Sequence, residues 1–377
     1  MLSSMAKVSS FLLVGTWWGA SSSALLARPA CAIRRPLVLP LQHRHHRRAT
    51  SMASTTASNV NRTPRRRLHD GPSGSSSASP SSSSSSAGKA AVGLRGGLVV
   101  APPLMRAVKV MAGMNLLGFA VSLATKWHYH LDLIGTGAFV VSALASHRAA
   151  ASAVASAPRQ VLMTGLVATW GSRLAGFLFY RALQYKNDAR LDDLLDTTGG
   201  AATFWGLSYV WGQLVILPQA LALSARGANQ VVRLGPGGVA CGALAAAGIA
   251  IEATADWQKF AFKKENPGKL CDVGLWGASQ HPNYLGELMM WYGIFGLSAP
   301  VLWQTSSAAT GLLRYLPAPT KALALAAAGP AFLTLLLTGQ ANGEIGNAKE
   351  LAAKKWAGDA KYEAYQRDTP VLVPKLF

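Results

Sequence analysis

The chain of 377 residues is 50% hydrophobic and only 14% charged, more apolar surface than a soluble globule of this size accounts for, and a bilayer is the simpler destination. Its formal net charge is +20, but residues 1–95 hold 13 of the 36 Lys and Arg against one acid, Asp70, so most of the excess belongs to the N-terminal segment. That distribution argues against a nucleic-acid partner, which needs its basic residues on the folded domain; three cysteines (Cys31, Cys241, Cys271) without metal-ligand spacing argue against a disulfide framework or a metal site.

From Met1 to about Arg95 the sequence is rich in Ser, Arg and Ala, with an unbroken serine run at Ser81–Ser86. Such a segment buries too little apolar surface to offset ordering entropy and is expected to be disordered. An Arg-rich, Ser-rich, nearly acid-free composition is that of an organelle transit peptide, and the short apolar stretch Phe11–Ala20 behind Lys7 resembles a signal-peptide core. Together they predict a cleavable, bipartite plastid address over 1–95, with a mitochondrial presequence or an endoplasmic-reticulum signal as alternatives.

Seven apolar stretches follow, each near the length of about 20 residues that spans the hydrocarbon core as a helix: 107–125, 131–147, 160–181, 202–223, 236–256, 284–303 and 321–340. The second is short. Gly and Ala crowd the fifth and seventh (Gly242–Ala250, Ala322–Ala328), as close helix packing in lipid requires. The expected fold is therefore all-α, a polytopic membrane bundle of about seven helices over 105–340 with an amphipathic tail at 341–377. If all seven span, the loops 126–130, 182–201 and 257–283 share one side with the tail and gather the larger share of Lys and Arg. The positive-inside rule places that side in the cytosol or stroma.

Charge at membrane depth is costly and usually functional, so the few polar groups in these spans carry the most information. Arg173, in Trp170-Gly-Ser-Arg173-Leu, sits mid-span with no acid within a turn; it needs a phosphate or a partner on another helix, Glu252 or Asp256. Glu252, Asp256, Lys259 and Lys263 recur at i, i+4, i+7 and i+11, which puts all four on one helix face, acids deep and bases shallow. Such a face suits ribose hydroxyls and phosphates, or is simply an ion pair with membrane-anchoring lysines. In the string Gly274-Leu-Trp276-Gly-Ala-Ser-Gln-His281-Pro-Asn283-Tyr284-Leu-Gly-Glu287, Pro282 fits a first helical turn and Ser279 an N-cap. Asn283 and Glu287 then face together, with Glu287 one turn inside an apolar helix. The tail reads as an interfacial amphipathic helix ending near Gly358, then a Tyr-rich segment (Tyr362, Tyr365) that returns to the protein and carries Arg367, a candidate phosphate clamp.

Four strings in fixed order, Asp256-Trp-Gln, Gly274-Leu-Trp276, His281-Pro-Asn-Tyr-x-Gly-Glu287 and Lys361-Tyr-Glu-Ala-Tyr365-x-Arg367-x-Thr-Pro370, resemble the C-terminal region of the steroid 5-alpha-reductase superfamily. The resemblance covers about residues 160–377 and is closest to a branch of polytopic proteins from bacteria, plants and algae, which Trp170-Gly-Ser-Arg173-Leu and Asn187-Asp188-Ala-Arg190 also fit. It implies a seven-helix bundle whose C-terminal helices and tail hold NADPH, which delivers hydride to an enone or similar polarised C=C bond of a hydrophobic, lipid-like substrate. Residues 236–303 would carry the main cofactor motifs and 341–377 would complete the site. By motif, Asn283 and Glu287 would hold the nicotinamide end, Lys263 and Arg367 the phosphates, and Asp256 would lie along the cofactor; Arg173, Glu252, His281, Tyr362 and Tyr365 complete the candidate cofactor set. The chemistry also asks for an acid near the reacting carbon, for which Tyr209, Tyr284 and Glu287 are the candidates.

The sequence departs from the steroid enzymes in its N-terminal half, where the Glu and Tyr that polarise the steroid carbonyl have no match, so a steroid is not implied. It also has Ala341-Asn-Gly-Glu344 where its branch has Leu-Leu-Glu. The isoprenylcysteine carboxyl methyltransferases, which bind S-adenosylmethionine, share the architecture and an Arg-His-Pro-x-Tyr-x-Gly string; here Gln280 stands in place of the Arg. Methyl transfer is the second reading, and a non-catalytic membrane protein that keeps the fold is the third.

Overall fold

The computed structural model describes residues 102–127, 129–185, 195, 197–224, 232–304, 318–346 and 348–374. The leader 1–95 and the patch Asn187–Arg190 lie outside the described residues. Among the described residues the chain is helical, with no strand: α1 (Pro102–Thr125), α2 (His130–Arg148), α3 (Ser152–Ala155), α4 (Pro158–Tyr185), α5 (Thr198–Leu223), α6 (Pro236–Glu265), α7 (Leu275–Ala278), α8 (Pro282–Gln304), α9 (Ala318–Asn342), α10 (Ala348–Lys355) and α11 (Ala360–Asp368). Proline opens α1, α4, α6 and α8, where its missing N–H has no intrahelical acceptor to lose. Thr197 caps α5 by accepting from Gly200 N–H at 3.0 Å.

Each of the seven expected spans falls on one helix. Six of those helices, all but the 19-residue α2, are long and apolar enough to cross a membrane, and the chain is a polytopic, integral membrane helix bundle. The apolar side chains sort as lipid dictates: Leu116, Leu117, Val161, Val239 and Leu335 are exposed on the outside of the bundle. Trp127, Trp257 and Trp303 are also exposed, near helix ends, as in an interfacial aromatic belt. The centre belongs to α8, whose span is 61% buried against 28% for α1. Its Trp291 packs edge-on to Trp170 of α4 at 5.1 Å and tilted on Phe139 of α2 at 5.6 Å.

The contact that sets the site is between α6 and α8. A Cβ added at Gly286 would stand 2.6 Å from both Gly248 O and Glu252 N, and one at Gly293 would stand 2.6 Å from Cys241 O. The two backbones therefore touch along three turns with no room for a side chain, the small-residue packing that lipid-embedded helices use. Gly286→Val is expected to cost at least about 1–3 kcal/mol by overpacking, read as a lower unfolding temperature in detergent. Gly165→Ala, which meets nothing within 4 Å, is expected to leave that temperature unchanged.

Candidate functional site

At about 1.5 Å per residue the 30-residue α6 is ~45 Å long, more than the hydrocarbon core of ~30 Å, so its last turns project from the bilayer with Lys259 and Lys263. The chain turns back through Gly268 and Gly274, both at positive φ (82° and 57°). The returning loop is fastened to the helix it left: Gln258 Oε1 accepts from Leu275 N–H at 2.9 Å, and Trp276 Nε1 donates to Ala255 O at 2.9 Å. Two of the strings that resemble the reductases thus hold each other.

The tail closes on this loop. Gly358 (φ 75°) ends the α10 turn and Asp359 caps α11, its carboxylate accepting from Lys361 N–H at 2.9 Å. Tyr365 then donates its hydroxyl to Trp276 O at 2.7 Å, and Lys361 pairs with Asp272 at 2.7 Å. Gln280 is the main fastener: its amide donates to Thr369 O (2.7 Å) and Gln366 O (3.2 Å), its Oε1 accepts from Gln366 Nε2 (3.0 Å), and its backbone N–H donates to Pro370 O (2.9 Å). Ser279, the expected N-cap of α8, instead accepts from His281 N–H and donates to Leu372 O at 2.7 Å.

Between α6, the loop, the first turn of α8, the last turn of α9 and the tail lies a cleft of about 100 Å³ that opens to solvent, smaller than the ~300–1,000 Å³ of closed small-molecule sites. Lys259, Lys263 and Lys349 line it, and among the described residues no Asp or Glu does. Aromatic walls come from Trp276, Tyr284, Trp356 and Tyr362. Lys259 Nζ sits 3.7 Å from the Trp276 ring centroid, and Lys263 donates to Lys269 O with its Nζ 5.3 Å from the Trp356 ring. His281 stacks on Tyr284 at 4.8 Å. Burial, and then the charges of Lys259 and Lys349, push the His281 imidazole down to about 3, so it is neutral at physiological pH. Burial likewise holds the phenols of Tyr362 and Tyr365 above their ordinary value.

A second polar cluster lies inside the bundle. Arg173 pairs with Glu252 at 2.5 Å and Asp256 at 2.6 Å, and Trp170 Nε1 donates to the other Glu252 oxygen at 2.9 Å. Trp170 and Arg173 are i, i+3 on α4, Glu252 and Asp256 i, i+4 on α6, so two helix faces meet charge to charge. Glu287 is buried beside them, within electrostatic reach of all three.

The residues singled out from sequence therefore divide. Lys263, His281, Asn283, Tyr284, Tyr362 and Tyr365 line the cleft. Arg173, Glu252, Asp256 and Glu287 gather in the buried charge cluster, where Arg173 has two carboxylates in place of a phosphate. Arg367 joins neither: it is exposed, pairing with the neighbouring Asp368 at 2.9 Å. The helical period explains it, because Tyr362, Tyr365 and Gln366 turn one face of α11 to the cleft and leave Arg367 well off that face. Tyr209 of α5 packs against the main core, away from the cleft. Lys259, Trp276, Lys349 and Trp356, which stand in the informative strings but outside the candidate set, also line the cleft, as does Gln340, whose signal in the sequence is a polar residue ending an apolar span.

The family model described as protein of unknown function DUF1295 matches residues 118–369. The chain belongs to this family. The DUF1295 match runs from within α1 to the end of α11 and so contains every cleft residue and the whole charge cluster. No curated protein and no solved structure matches the chain.

Two outcomes check this division. Arg173→Met strands two buried carboxylates and is expected to cost about 3–5 kcal/mol of stability, whereas Arg367→Ala leaves the unfolding temperature unchanged. Because the His281 pKa is lowered on folding, the unfolded chain binds the extra proton between about pH 6.5 and 3, and stability falls as pH falls through that window. His281→Gln is expected to flatten that part of the unfolding profile in detergent.

Proposed function

We propose that this DUF1295 protein is a membrane-embedded, NADPH-dependent reductase of a polarised C=C bond in a lipid-like substrate. The observation that carries the reading is the cleft: three lysines and, among the described residues, no acid, set among aromatic rings at one end of an apolar helix bundle. Phosphates suit the lysines, as point charges with several donors each, and flat heterocycles suit rings such as Trp356 and Tyr362. The buried Asn283 Oδ1, without a hydrogen-bond partner among the described residues, leaves an acceptor open for an N–H of the cofactor. When bound, NADPH supplies the hydride.

The chain's own residues then have distinct tasks. Lys259, Lys263 and Lys349 bind and orient the phosphates. Tyr284 is the candidate proton donor, buried in the first turn of α8 at the cleft wall, since a neutral phenol donates readily next to a developing negative charge. Glu287, one turn further in, and the Arg173 cluster hold α4, α6 and α8 in register behind it, and the apolar bundle excludes water. The four strings resembling the steroid 5-alpha-reductase superfamily support the same reading; separately, the leader's composition suits a plastid address and the Lys and Arg bias of the loops favours the stroma for the tail.

Methyl transfer remains the competitor by resemblance, and the cleft charge weighs against it. S-adenosylmethionine carries a sulfonium and an ammonium against one carboxylate, and a site with three lysines and no acid repels such a cation. Equilibrium binding of NADPH and of S-adenosylmethionine to the detergent-purified protein tests the reading. NADPH is expected to bind, to weaken with salt, and to lose about tenfold to hundredfold in affinity in Lys263→Met or Lys349→Met, with little change in Arg367→Ala. Binding of S-adenosylmethionine alone would establish methyl transfer instead, and binding of neither would leave a non-catalytic role.

A further inference from the structure

Gln340 ends the last apolar helix, and nothing in the reading above uses it. Its side chain is only 4% exposed, it lines the cleft, and neither its Nε2 nor its Oε1 has a hydrogen-bond partner among the described residues. Asn283, 7% exposed on the first turn of the adjoining α8, lines the same cleft with its Oδ1 likewise unpartnered. Leaving a buried amide unmatched is costly, and native interiors rarely do so. Gln160 and Gln213 also carry amides without partners among the described residues, but they do not line the cleft; the two that share it stand where a ligand can bring the complement.

The unmatched atoms define that complement. Gln340 presents donors on Nε2 and an acceptor on Oε1, and Asn283 adds a second acceptor. A phosphate would satisfy Nε2 but bring negative charge against both acceptors. An ammonium would satisfy the acceptors, leave Nε2 empty, and sit among three lysines. Hydrocarbon would leave all three atoms unmet. What fits is an acceptor atom beside an NH2 on one carbon: a primary carboxamide or the amidine edge of an aminopurine, the pattern that Gln and Asn side chains pair with bidentately.

We propose that Gln340, with Asn283, is the residue pair that reads such an edge of the bound cofactor and makes the cleft selective for it. The inference rests on the NADPH reading, and that nucleotide carries the edge twice, on nicotinamide and on adenine. Position relative to the membrane favours the first, because both residues belong to the membrane-spanning helices α8 and α9, whereas Lys349, Trp356 and Tyr362 stand on the tail.

The test measures binding of NADPH, of its 3-acetylpyridine analogue (methyl ketone for carboxamide) and of its hypoxanthine analogue (ring carbonyl for the amino group of adenine). These are compared in the unaltered protein, Gln340→Met and Gln340→Glu, with thermal unfolding recorded for each. The unaltered protein is expected to prefer NADPH over one analogue by about tenfold or more, the scale of one buried group left unmatched; the analogue penalised identifies which edge is read. Gln340→Met, of similar shape and with no polar atom to satisfy, is expected to unfold no earlier than the unaltered protein, to bind NADPH about tenfold or more weakly, and to lose that preference. Gln340→Glu keeps acceptors without the donor and is expected to fall in the same direction. Tight NADPH binding with the preference intact in both variants would overturn the inference while leaving the reductase reading standing. Failure of the unaltered protein to bind NADPH would bring down both.

Discussion

The cleft depends on how closely α6 and α8 approach. Gly248, Gly286 and Gly293 let the two backbones meet without intervening side chains, and that contact fixes the start of α8 against the last turns of α6. Asn283 and Tyr284 thereby come to face the same space as Lys259 and Lys263. A single Cβ at Gly286 would reach the backbone of α6 itself, so the spacing has no tolerance on that side. The neighbouring ion pairs between Arg173 and the two acids of α6 add a third helix to the same contact, and they do so in low dielectric, where an uncompensated partner would be expensive. Charge and close packing constrain the same few turns.

Onto this frame the tail is fastened by backbone acceptors more than by side-chain pairs. Tyr365, Gln280 and Ser279 hold carbonyls at Trp276, Gln366, Thr369 and Leu372, bonds that order a segment with little apolar surface of its own. The strings that resemble the reductases thus serve two ends. Some of their residues, His281, Asn283, Tyr284 and Tyr362, face the cleft. Gln258 spends its polar atom on holding the loop, while Trp276 and Tyr365 line the cleft and also tie the loop and the tail together, and a motif's presence alone does not say which residue has which task.

The same division clarifies the electrostatics. The acids of the sequence pattern lie in the bundle with Arg173 and the lysines lie at the cleft, so the two charge types are separated along α6 and not mixed in one site. An anion meets cations without competition, and the buried carboxyls are answered by a guanidinium and an indole N–H. The nucleotide proposed above would lie along this gradient with its phosphates outward and its redox ring toward the membrane.

Much of the plan was legible in the chain itself. All seven apolar stretches became helices, because hydrophobic length and proline starts are local properties, and the polarity gradient of Glu252, Asp256, Lys259 and Lys263 followed from helical spacing alone. The pairing of Arg173 was legible as a need, since a mid-span guanidinium must find a partner, but which partner it finds depends on the rotation of α4 against α6. Arg367 shows the other limit: the motif brings it near the site, and the phase of a nine-residue helix turns it away. Gln340 and Lys349 became part of the cleft only when α9 and α10 closed on α8 and α6. The sequence by itself determined a polytopic helical bundle with most of its conspicuous polar groups toward the C-terminus, because periodicity and burial cost are written residue by residue. Only the tertiary structure decided which polar groups face a common space and which satisfy one another, because that is set by helix rotation and crossing, which no single segment encodes.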